Sequence, residues 1–153
     1  LIEFALVLPV FMVLVLGSFT GAIAYNDKAS VTQGAREGAR YGATLAIHQC
    51  DDVANCGGLD WAQLVQSTAV NHSAGSATTS SVCVALVSGS GATQAAIDSN
   101  HTTAGGTSPC WIDSSIDTSL RVQVSISRVD TINFLVDSMA VTLLSQATSK
   151  YEQ

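Results

Sequence analysis

The chain has 153 residues, 47% of them apolar and only 12% charged, and a formal net charge of −6. That length suits one compact unit plus an appended element. With 6 Lys and Arg in total, there is no basic patch to neutralise phosphates, so nucleic acid is excluded as an expected partner.

Residues 4–24, FALVLPVFMVLVLGSFTGAIA, carry no charge. As a helix they span about 31 Å, the thickness of a bilayer's hydrocarbon core. The apolar region of a signal peptide is shorter, so a membrane anchor is expected. A retained signal peptide is the alternative, given the small residues in FTGAIAYNDKAS. Pro9 should bend such a helix without ending it. The chain opens at Leu1 and not at Met, so an earlier segment is expected to have been removed. Glu3 is the one charge in this opening. It either sits in the headgroup region or, being costly at the edge of a span, takes a partner.

Residues 25–47 continue with helix-compatible sequence, and no proline occurs between Pro9 and Pro109. One helix from about 2 to about 47, near 68 Å long, is therefore expected. The division falls at 1–25, an apolar membrane or filament-core segment, and 26–153, an extracellular head with the helix continuing over 26–47. The apolar half has no interior to enter and needs lipid or other copies of itself. QGAREGARYGA places Gly34, Gly38 and Gly42 four apart, beside Ala35, Ala39 and Ala43. Glycine costs roughly 1 kcal/mol in a helix interior, so packing against a closely approaching element must offset it. That element is either the chain's own sheet or a neighbouring molecule's helix. Arg36 and Arg40 share a face, with Glu37 within reach of Arg40. They form either a solvated flank or a contact with an acidic surface of another subunit.

HQCDDVANCGGLD is a turn-rich connector bounded by Cys50 and Cys56. Its Asp51, Asp52, Asn55 and Asp60 lack the alternation and terminal Glu of an EF-hand, so a surface loop, not a calcium site, is expected. A short helix follows over 60–70. Asp60 and Gln63 form a capping-box pattern, and Trp61, Leu64, Val65, Thr68 and Ala69 lie on one face. Asn71 and Asn100 sit in N-glycosylation acceptor patterns, which chiefly mark exposed loops.

Strands are expected over 81–88, 119–129 and 139–150. In the second, Leu120, Val122, Val124 and Ile126 alternate with Arg121, Gln123, Ser125 and Ser127, which predicts a half-buried antiparallel strand. The last places Met139, Val141, Leu143 and Ala147 on one face. The fold class is α+β: a long helix whose distal half covers a small antiparallel sheet. Four cysteines in an even count without a C-x-x-C pair point to disulfides, not to a metal. Of the three possible pairings, Cys50–Cys56 and Cys83–Cys110 are expected. No histidine stands near a cysteine nucleophile and no catalytic motif is present, so neither enzyme activity nor a cofactor is expected. Trp61 and Trp111 read as core anchors.

LIEFALVLPVFMVLVLG, followed about twenty residues later by AREGARYGA, resembles the N-terminal signature of the TadE-like family. These are pseudopilin-type proteins of the tight-adherence branch of type IV pili. The tail, SLRVQVSISRV and VTLLSQATSKYE, is also similar to paired C-terminal strands in that family. The resemblance implies a type IV pilin-like fold and a prepilin processed by a prepilin peptidase. It implies a single-pass membrane stage, then extraction by an assembly platform into a homopolymeric pilus at the cell surface. Glu3 would correspond to the glutamate that compensates a neighbouring subunit's terminal amine, although it stands third here where the family usually has it fifth. Two other readings stay open: a minor pseudopilin that primes or tips a filament, and a membrane-anchored binding module that never polymerises.

Overall fold

In the computed structural model, residues 2–46, 57–75, 77–78, 81–87, 103–104, 119–133 and 138–151 are described. Helix α1 spans Ile2–Thr44 and runs unbroken through Pro9. Helix α2 spans Trp61–Asn71. The strands are β1 (Val82–Val87), β2 (Thr103–Ala104), β3 (Arg121–Asn133) and β4 (Ser138–Lys150). They form one antiparallel sheet in the order β2-β1-β3-β4. The chain is thus α+β, with a long N-terminal helix and a small antiparallel sheet.

The short helix begins one residue later than expected because Asp60 is its cap. Asp60 Oδ1 accepts from the Gln63 amide at 2.7 Å, and the Asp60 amide donates to Gln63 Oε1 at 3.2 Å. This reciprocal pair satisfies two amides that the first turn would otherwise leave unpaired. The buried face of α2 is Trp61, Ala62, Val65, Gln66 and Ala69, with Leu64 and Thr68 on its margin.

The core lies where α1, α2 and the sheet meet. β1 and β3 pair Val82 with Ile126, Val84 with Val124 and Leu86 with Val122, which lines up six apolar side chains on one face. All six are at most 2% exposed. Against this face pack Val31, Ala35, Ala39 and Ala43 of α1. Tyr151 closes the far end: its amide donates to the Leu120 carbonyl and its hydroxyl to that of Leu45, 3.2 Å away.

Three expectations need correction. β3 is not half-buried over its first half: Arg121, Gln123 and Ser125 are buried along with Val122, Val124 and Ile126. Alternation distinguishes the two faces of a strand but does not fix whether the second is covered. Here β3 is an inner strand, and Cys83, Ala85 and Val87 of β1 are buried beside those polar residues. β3 also extends to Asn133 and β4 starts at Ser138, so the hairpin is longer than the predicted 119–129 and 139–150. Met139, assigned to the covered face, is 55% exposed, while Leu143 and Ser145 further along β4 are buried. β2 is a fourth strand, within the Ser/Thr/Gly-rich stretch 88–108.

Candidate assembly and membrane-anchoring surface

The first half of α1 stands clear of the head. Phe4, Leu6, Phe11 and Phe19 are each 64–72% exposed, and the neighbouring Val, Leu and Met side chains are exposed too. Among the described residues this is the one helix long and apolar enough to cross a membrane: its apolar window has a mean hydropathy of 2.3, with none of it buried. Apolar surface of this extent, unbroken by charge over residues 4–24, is far beyond what an isolated soluble chain leaves in water. Glu3 lies in the first turn of this helix.

From Thr20 onward one side of α1 becomes covered. Thr20, Ala24, Asp27 and Ser30 are partly exposed among open neighbours, and burial is complete at Val31, Gly34, Ala35, Gly38, Ala39, Gly42 and Ala43. The three glycines meet α2, which runs antiparallel to α1. A Cβ on Gly34 would stand 2.6 Å from the Ala69 carbonyl oxygen, one on Gly38 2.8 Å from the Ala69 Cβ, and one on Gly42 2.9 Å from both Val65 and Val122. Ser30 Oγ donates to the Ser73 carbonyl and fixes the far end of α2 on the same stripe. The groove is therefore occupied within the chain, mainly by α2 and at Gly42 by β3. The sequence had offered only the sheet or another molecule for that place.

Arg36 and Arg40 are exposed and Glu37 is half-buried. Among the described residues no ion pair joins Glu37 to Arg40, and Arg128 and Asp130 of β3 approach to 4.0 Å. All three cations of α1, with Lys28, point away from the buried stripe. Asn71 is exposed at the end of α2. Asp60 is engaged as the helix cap, and Asp51, Asp52, Asn55, Asn100 and Trp111 lie outside the described residues. Trp61 is fully buried in the core. Cys83, buried on β1, is disulfide-bonded. Cys50, Cys56 and Cys110 lie outside the described residues, and with them the expected Cys50–Cys56 and Cys83–Cys110 pairings.

Sequence reasoning missed two positions that hold the head together. Gln66 is buried and its amide donates to the Val82 carbonyl at 2.9 Å, tying α2 to the first residue of β1. Ser73 is fully buried and its hydroxyl accepts from the Ala77 amide. A polar residue inside an otherwise apolar helix face was the available signal for Gln66. Nothing local distinguished Ser73 from the serines around it.

Residues 1–40 match the family model described as TadE-like protein, the stretch that carries the resemblance found in the sequence. No curated protein and no solved structure matches the chain.

Proposed function

We propose that the chain is a structural subunit of an extracellular pilus of the tight-adherence, type IV-like kind. In this reading it is a single-pass membrane protein before assembly and a helical homopolymer afterwards. The observation that carries it is the bare apolar half of α1, continuous with a packed head and lying within the region that matches the TadE-like model. In the membrane that surface is covered by lipid, and in a filament by the same surface of other copies. Burying about 1,000 Å² of it from water would be worth roughly 25 kcal/mol gross. Lipid already supplies most of that, so packing detail and charge pairing decide which of the two states wins.

Glu3 is the charge placed to do this. Paired with a neighbouring subunit's amine inside an apolar core, it would set the register between copies. The exposed Arg36 and Arg40, with Glu37 beside them, are the candidate contacts between heads. Processing by a prepilin peptidase, an assembly platform and a disulfide-closed head for surface attachment complete the reading. The pairing expected in this reading is Cys83 with Cys110 and Cys50 with Cys56, and non-reducing peptide mapping tests it. The chain carries no chemistry of its own.

Electron microscopy of surface material sheared from producing cells tests the proposal. Fibres decorated along their length by an antibody to the head are expected. Label confined to fibre ends supports the second reading, a minor pseudopilin, which the TadE-like match favours. Head label found only on membranes would establish the anchored module that does not polymerise. Replacing Glu3 with Ala should leave the chain in the membrane and lower fibre yield. Undiminished fibres from that variant would remove Glu3 from the mechanism.

A further inference from the structure

The β3–β4 hairpin outgrows the sheet. β1 accompanies β3 only from Val87↔Arg121 to Val82↔Ile126, whereas β3 and β4 continue to pair from Ser127↔Leu144 to Asn133↔Ser138. Among the described residues those seven further pairs make a two-stranded ribbon about 24 Å long. A ribbon of two strands is marginal in water by itself, and this one leaves Val129, Met139 and Leu144 more than half exposed.

Its direction is fixed at the other end. Tyr151, just past β4, bonds to Leu45, and Val122 abuts Gly42, so the open end of the hairpin lies beside the C-terminus of α1. β3 and β4 both pack on α1, and because Tyr151 meets Leu45 while Val122, further into the hairpin, meets Gly42, the hairpin runs from its open end toward the N-terminal half of the helix. Val31, the most N-terminal buried residue of α1 among those described, shares the core cluster with Val82 and Ile126, the pair at which β1 leaves β3. A further 24 Å corresponds to about 16 helical residues, fewer if the strands are tilted. The half-covered stripe of Ser30, Asp27, Ala24 and Thr20 follows that path, and its last two members belong to the uncharged run 4–24.

We propose that the end of this ribbon, around Met139, sits in the headgroup and acyl boundary of the membrane beside α1 when the chain is membrane-anchored. The inference rests on the membrane stage proposed above. It follows from level and continuity: Met139, exposed at the end of the ribbon, brings an apolar side chain beside α1 at the level where the uncharged run of the helix begins. Charge and backbone limit how deep it goes. Arg128 and Asp130 lie above the tip, and the outer edges of a two-stranded ribbon carry backbone groups that hydrocarbon cannot satisfy. Boundary lipid, with water still in reach, accommodates both.

The test uses the full chain in phosphatidylcholine–phosphatidylglycerol vesicles, with photoreactive p-benzoylphenylalanine placed singly at positions 139, 11 or 146. Phe11 lies in the exposed apolar half of α1, and Gln146 is exposed on β4 opposite Ser125, at the level of the three-stranded sheet. Lipid adducts are expected at 139 and 11, and none above background at 146. Adducts at 11 without any at 139 would overturn the inference and leave the membrane stage standing. A cross-linked dimer at 139 in place of a lipid adduct would overturn it in favour of a second copy. Absence of lipid adducts from both 139 and 11 would overturn the membrane stage itself.

Discussion

Gly34 and Gly17 are both helical glycines in α1, yet they meet opposite surroundings. A Cβ at Gly34 would press on a backbone oxygen at 2.6 Å and on Ser73, while one at Gly17 would meet nothing within 4 Å. Overpacking costs about 1–3 kcal/mol, and alanine returns about 1 kcal/mol of helix propensity at either site. Because the carbonyl at Gly34 cannot step aside cheaply, Gly34→Ala should destabilise the head by about 2 kcal/mol. Gly17→Ala should leave the head unchanged. Thermal unfolding of the full chain in detergent, followed by near-ultraviolet circular dichroism, checks the pair; equal midpoints would mean that α2 does not seat on the glycine stripe. The spacing of the glycines was legible in the sequence because a repeated penalty needs a repeated reason. Their partner was not legible, since small residues accept any close neighbour and the sequence does not say which one arrives.

Among the elements, α1 and α2 were readable for different reasons. α1 announced itself by an uncharged run followed by a small-residue stripe, and α2 by its cap, since Asp60 and Gln63 have to stand three apart for both bonds to form. The strands were readable in position and less so in extent. β3 alternates over Arg121–Ser127, but beyond it Arg128 and Asp130 fall at positions of the apolar face and Val129 at one of the polar face, so the end of the strand was hidden. Burial of its polar face depends on neighbours remote in sequence, which alternation does not encode. The stability of the hairpin should be correspondingly uneven. Amides in Arg121–Ile126 have strands on both sides and burial on both faces, whereas among the described residues Ser127–Asn133 is flanked by β4 alone. Hydrogen exchange read by mass spectrometry should find 121–126 opening only with the whole head and 127–133 opening at lower free energy. Uniform protection along β3 would show that the ribbon is held as firmly as the sheet.

At the scale of the whole molecule the described chain divides between a head with a buried apolar core and a half-helix whose apolar surface stays open. The head closes through a small set of long-range ties: Gln66 to Val82, Ser30 to Ser73 and Tyr151 to Leu45. Each joins elements distant in sequence, and together they leave α1 projecting as a handle. That handle was the feature most legible in the sequence, because an uncharged stretch long enough to cross a bilayer has few other uses. In the reading proposed above its side chains are surrounded by lipid or by other copies, both external to the fold of one chain.

The head leaves the apolar half of α1 uncovered. Sedimentation of the purified chain after removal of detergent tests it most directly. Large assemblies or lipid-bound material are expected, with no stable species at 15.8 kDa, the mass of one chain. A monodisperse monomer of that mass, soluble without detergent or lipid, would contradict it.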